Sequence, residues 1–89
     1  MIPLTFAPEG SIVRVVELNV GRGLERRLYE LGIFRGSLIK VVKTRGPGPV
    51  LIEVLGNTSW SVHSTSRLAL GYGVAMKIFV EVVSSGEKG

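Results

Sequence analysis

Arg26-Arg27-Leu28-Tyr29-Glu30-Leu31-Gly32-Ile33-Phe34-Arg35-Gly36, followed at once by Ser37-Leu38-Ile39-Lys40-Val41-Val42, joins a short helix to a strand through two glycines. Leu24, Leu28 and Leu31 recur at i, i+4 and i+7, which places three apolar side chains on one helix face and predicts a helix over 24–31. Gly32 stands where that helix must stop, because glycine enters the left-handed conformation just past a helix end without steric cost. Gly36 then opens a strand predicted over 37–44. The opposite helix face carries Glu25, Arg26, Arg27 and Glu30, with Arg26 and Glu30 spaced i, i+4. That spacing predicts a solvated ion-pair face worth only tenths of a kcal/mol.

Working outward, Ser11 to Leu18 supplies Ile12, Val13, Val15, Val16 and Leu18 for a first strand, preceded by a turn at Pro8-Glu9-Gly10. Gly21-Arg22-Gly23 interrupts the pattern before the helix. A strand over 49–55 pairs with the one over 37–44 across Arg45-Gly46-Pro47-Gly48-Pro49, where two prolines lack the N–H a ladder needs. The reading is a hairpin with a stiff, exposed tip. Ser59 to Ser64 alternates hydroxyl residues with Trp60 and Val62 and predicts a short further strand. Strand spacing near 67–70, a helical turn near 72–77 and a closing strand over 78–83 complete the chain. Many short strands, few helical residues and regular turns predict a mainly β domain, a small antiparallel barrel over 1–83, with a flexible tail over 84–89.

Composition bounds the chemistry. An 89-residue chain with 45% apolar residues has room for one modest core. No apolar run approaches the roughly 18 to 20 residues that span a bilayer, and Met-Ile-Pro-Leu-Thr-Phe lacks the basic start of a signal peptide, so a cytoplasmic location is expected. The absence of cysteine removes disulfides and thiolate metal sites together. A net charge of +4 fits either an anionic partner or ordinary solubility.

Catalysis finds no support in the residues. One His, no Asp and no paired general base leave no triad logic, and the expectation is a protein that is not an enzyme. Gly21-x-Gly23 lacks the third glycine and the Lys-Ser/Thr of a phosphate-binding loop. A resident iron site needs two or three converging His, Asp or Glu side chains. No self-contained metal site and no cofactor are expected: His63, the only His, reads as a solvent-facing strand histidine, and the alternative is an adventitious intersubunit site for a transition metal ion such as iron, with Glu53 or Glu81 as companions. Trp60, Tyr72 and Arg67 offer an aromatic and basic surface of the type that binds nucleic acid. The basic residues are spread along the chain rather than clustered, which weighs against that reading, and Trp60 suits packing on the barrel or a subunit interface. No cluster of groove aromatics points to proline-rich peptides.

Two ordered motifs carry a resemblance. Leu4 through the Gly10 turn into Val13-Arg14-Val15, then Arg27-Leu28-Tyr29-Glu30-Leu31-Gly32-Ile33 with Gly36 and Val41-Val42, leads to Arg67-Leu68-Ala69-Leu70-Gly71 and Ala75-Met76-Lys77-Ile78-Phe79-Val80. In that order the chain resembles the FeoA family over nearly its whole length. Arg35 replaces the proline common before the glycine in that family, and the segment Asn57 to Ser66 is longer than usual there.

The resemblance implies an SH3-like β-barrel with one or two short helices, acting as a cytoplasmic accessory or regulatory protein of ferrous iron uptake. Its implied partner is the membrane transporter FeoB. On that footing Arg26, Arg27 and Glu30 are expected to give charge complementarity and Phe34 a buried anchor, with the 46–49 tip as a second surface. Gly32, Gly36, Leu28, Leu31, Ala75 and Ile78 are expected to be structural. A metal-responsive regulator domain and a nucleic-acid-binding SH3-like barrel are the alternatives, and a homo-oligomer is compatible with each.

Overall fold

Alternation of apolar and polar residues along short strands makes one face of a sheet oily and the other wet, and the molecule is organised around that division. The computed structural model describes residues 1–44, 46–56 and 66–85. The elements run β1 (Ile2–Pro3), a 3-10 turn (Leu4–Phe6), β2 (Ile12–Leu18), α1 (Arg22–Glu30), β3 (Leu38–Lys43), β4 (Val50–Gly56), β5 (Ser66–Leu70), α2 (Tyr72–Ala75) and β6 (Ile78–Ser84). One antiparallel sheet holds them in the order β1-β6-β2-β3-β4-β5.

The register slips twice between β2 and β6 and twice between β3 and β4. Such irregularities bend a strand and increase its twist, which lets a single sheet wrap its apolar face around one core in the SH3-like manner. That face contributes Val13, Val15, Ile39, Val41, Ile52, Ile78 and Val80, all essentially without exposure. Leu4 from the 3-10 turn, Leu28 and Ile33 from the α1 corner and Ala75 from α2 plug the remaining volume.

Helix α1 ends as the sequence demands. The Gly32 N–H donates to the Tyr29 carbonyl at 3.0 Å and the Ile33 N–H to the Leu28 carbonyl at 2.8 Å, with Gly32 at φ +93°. These paired bonds satisfy the last carbonyls of the helix and turn the chain back on itself. Leu31 corrects the expected apolar stripe: it is 48% exposed. It is the C-terminal cap of α1, and the reversal at Gly32 delivers Ile33 into the core seat that Leu31 would have taken. Leu28 is buried and Leu24 packs half-buried against the core, so the face holds at two of its three positions.

Other bounds moved by a few residues. Helix α1 starts at Arg22, with Gly21 as its N-terminal cap and the Glu25 N–H donating to the Gly21 carbonyl at 2.9 Å, so Arg22-Gly23 form the first turn instead of a break. Ser84 belongs to β6, paired with Ile12, rather than to the tail. The sequence reading missed β1 and the 3-10 turn. Here Pro3 sits on an edge strand, where its missing N–H costs nothing, and Thr5 Oγ1 lies 3.0 Å from Met76 Sδ. The Pro8–Ser11 turn is present as read, with the Ser11 N–H and hydroxyl both donating to the Pro8 carbonyl. The strand expected over 59–64 and residues 86–89 of the expected tail lie outside the described residues.

The expected Arg26–Glu30 pair does not form. Among the described residues the ion pairs are Arg14–Glu81 at 3.6 Å and Arg67–Glu53 at 2.6 Å. The second joins β4 to β5 at paired register positions, with Arg67 largely exposed. Replacing Arg67 with Ala is expected to lower stability by under about 1 kcal/mol, the range of exposed pairs. Chemical denaturation of the single variant measures it.

Candidate partner-docking cleft

The reversal after α1 runs directly into a second tight turn, and the two together build one side of a surface cleft. Phe34 to Ser37 closes a turn in which the Ser37 N–H donates to the Phe34 carbonyl at 2.9 Å, with Gly36 at φ +92°. A positive φ at the third position of a turn is the geometry glycine supplies without strain. The fully buried Ser37 hydroxyl locks it from the side, accepting the Phe34 N–H at 3.1 Å and donating to the Phe34 carbonyl at 2.8 Å. The turn is fixed to β2 by the Gly36 N–H donating to the Val15 carbonyl and the Val15 N–H donating to the Ser37 carbonyl. Phe34 therefore stands on a rigid corner although it lies between secondary-structure elements.

Ser37→Ala removes both side-chain bonds and leaves the Phe34 N–H without that partner. The expected cost is about 1 to 2 kcal/mol, read from urea denaturation, because an unmet buried donor keeps its desolvation penalty. A change below a few tenths of a kcal/mol would mean that the backbone turn alone holds Phe34.

On this corner Phe34 packs beside Tyr29, with ring centroids 5.3 Å apart and planes tilted by 48°. Together with Leu18 at the end of β2 they floor a cleft of about 570 Å³. Arg22, Glu25 and Arg26 line it from α1, and Arg35 from the turn. Arg22, Glu25, Arg26 and Tyr29 are spaced i, i+3, i+4 and i+7, so a single helix face supplies four of the cleft residues. Three arginines thus share the lining with apolar and aromatic side chains, against one carboxylate. Tyr29 is 64% exposed, a large ring offered to solvent rather than spent on the core.

The structure brings Arg26 and Phe34 together in this cleft and leaves Arg27 and Glu30 exposed outside its lining. Arg22, Arg35, Tyr29 and Leu18 were not singled out by sequence reasoning. Starting α1 at residue 22 instead of 24 would have exposed the 22-25-26-29 face. Gly32 and Gly36 carry the two positive φ values that make the corner, and Ala75 and Ile78 are fully buried.

The other candidate surfaces are less built. His63 and Trp60 lie outside the described residues. The two carboxylates suggested as companions of His63 face arginines, Glu53 with Arg67 and Glu81 with Arg14. Among the described residues there is no group of three or more His, Cys, Asp or Glu side chains placed to hold a metal ion. Tyr72 opens α2 and is 40% exposed. At the hairpin tip Gly46, Pro47 and Pro49 are exposed and Gly46 has φ +66°. No helix among the described residues is long and apolar enough to cross a membrane.

Fold and corner together define a class: an SH3-like barrel with a cleft between a helix and a turn. The sequence matches the model of the FeoA domain over residues 2–82, and the chain belongs to the FeoA domain family. It is 41% identical over 86 residues to a protein of Methanocaldococcus jannaschii that carries the name Fe(2+) transport protein A, covering 97% of this chain and 93% of that one. Among solved structures, the crystal structure of an iron uptake regulatory protein (FeoA) matches with a TM-score of 0.75 and 27% identity, covering 92% of this chain and 97% of that one. The zinc-complexed FeoA of Stenotrophomonas maltophilia, described as a prokaryotic SH3 domain protein, matches in fold with a TM-score of 0.66 and 24% identity over 91% of each chain. The recognition and the fold class read from the sequence are borne out.

Proposed function

We propose that this protein is a non-catalytic accessory of ferrous iron uptake that regulates the transporter FeoB by docking on its cytoplasmic side. Membership of a family whose relatives are named for Fe(2+) transport supplies the setting. The observation that carries the docking reading is the cleft itself. Leu18, Tyr29 and Phe34 give it apolar surface, Arg22, Arg26 and Arg35 give it positive charge, and the Ser37 hydroxyl holds the turn that carries Phe34. A buried aromatic anchor ringed by charges is the arrangement by which protein interfaces obtain both affinity and orientation. A 570 Å³ concavity lies within the range that holds one or two inserted side chains or a small ligand.

In this reading Phe34 is the central contact, Arg26 orients the partner, and Arg27 and Glu30 lie at or beyond the periphery. The test is binding of the purified protein to detergent-solubilised FeoB from the same source, at low and physiological salt, with and without ferrous iron. Saturable binding that persists at physiological salt is the expected result. No binding to a demonstrably folded transporter under any of these conditions would reject the proposal.

A further inference from the structure

We infer that the occupant of the cleft is an acidic segment of the partner, an apolar side chain flanked by carboxylates, inserted with its apolar residue on Tyr29 and Phe34. The inference rests on the docking reading above and adds the chemistry of what docks. It follows from charge complementarity at one site. Arg22 and Arg26 come from the helix and Arg35 from the turn, so both elements that build the cleft bring arginines to its lining. Neither of the two ion pairs among the described residues involves them. Glu25 is the sole carboxylate in the lining.

Arginine is suited to this task because its planar fork meets a carboxylate through two parallel hydrogen bonds and remains charged at every physiological pH. A basic segment would place cations against three others. A wholly apolar segment would cover the guanidinium groups without partners, at a desolvation cost that charged groups do not recover. A bare polyanion would satisfy the rim and leave the rings of Tyr29 and Phe34 unused. An acidic segment with one apolar residue satisfies rim and floor together.

The experiment has two arms. In the first, an array of immobilised nonapeptides varies the central residue among Leu, Phe and Ser and the flanking residues among Glu, Ser and Lys, probed with the full chain. Members with Glu flanks and a Leu or Phe centre should retain the protein at least about tenfold better than those with Lys flanks or a Ser centre. Arg22→Glu with Arg35→Glu should abolish that preference, and inorganic polyphosphate should compete less well than the best soluble peptide. Retention of Lys-flanked members, retention of none, or polyphosphate competing as well as the peptide would overturn the inference.

The second arm measures binding of the same variants to detergent-solubilised FeoB. Charge reversal should weaken it at least about tenfold, while Arg22→Lys with Arg35→Lys, which keeps the charge and loses the planar fork, should weaken it less than reversal does. If reversal leaves FeoB binding intact while Phe34→Ala destroys it, the acidic chemistry is wrong and the docking reading stands. If the peptide preference holds while FeoB does not bind, the docking reading fails and the chemistry of the cleft stands.

Discussion

Gly32→Ala is expected to destabilise the protein by about 2 to 5 kcal/mol, a large share of the roughly 5 to 15 kcal/mol that holds a small domain together. Two independent costs combine. The residue sits at φ +93°, where an L side chain costs about 1 to 2 kcal/mol. Its new Cβ would also lie 2.8 Å from Val54 Cγ1, well inside the roughly 3.5 to 4.0 Å at which carbon atoms pack. Val54 is on β4 in the buried core, so relief requires the β-sheet or the helix end to shift, with overpacking costs of about 1 to 3 kcal/mol. For a domain of this size the melting temperature should fall by roughly 10 °C or more.

The two costs can be separated. In a Val54→Ala background the steric part disappears and only the backbone part remains, so the double variant should be more stable than the sum of the two single changes predicts. Additive effects would mean that the contact with Val54 relaxes freely and that backbone strain alone makes Gly32 necessary. A loss below about 0.5 kcal/mol in the single variant would contradict the account of the corner altogether.

Phe34→Ala should weaken binding to FeoB by about 2 kcal/mol or more, roughly thirtyfold, while the fold persists. The side chain is only half-buried, and the bonds that hold the turn run through the Phe34 backbone to Ser37, which the substitution leaves in place. Removing the ring takes away the floor of the cleft and one half of its pair with Tyr29. Arg27→Ala and Glu30→Ala are the controls, since both residues are exposed and outside the lining, and each should change affinity by less than about threefold. A larger effect from Arg27 or Glu30 than from Phe34 would move the docking surface around the helix and away from the cleft. Circular dichroism and denaturation of each variant separate lost binding from lost fold.

Much of this architecture was legible because it is written in local rules. The glycines at 32 and 36 announced backbone positions that other residues occupy only under strain, and both have φ near +90°. Alternation in Val13 to Val15 and Ile39 to Val41 gave the buried face of β2 and β3. What could not be read depended on contacts distant in sequence. Pairing of Ile2–Pro3 with β6 brings together residues nearly eighty positions apart, and two residues have no periodicity of their own. Leu31 fitted the helical spacing and still ends exposed, because Ile33 returns to the same seat through a reversal that periodicity does not encode.

The cleft was half legible for a related reason. Arg26 and Phe34 were picked out by charge and by bulk beside the glycine turn. Arg22 and Tyr29 join them only once the helix is known to begin at Arg22, and Arg35 only once the turn at Gly36 is known to bring residues 34 and 35 back beside α1. Arg27 carries the same charge as Arg26 one position along, yet a rotation of about 100° per residue takes it off the cleft face. Residue type suggested the chemistry, and geometry selected which copies of it face the same space.

Site-specific photo-cross-linking to FeoB tests the central claim most directly. A photoreactive phenylalanine is placed at position 34, in the cleft, or at position 67 on β5, and each protein is irradiated with the detergent-solubilised transporter. The docking account predicts a strong cross-link from position 34 and little from position 67. Cross-linking from position 67 alone, with the position 34 protein folded and unreacted, would contradict it and place the contact at the β5 edge of the sheet.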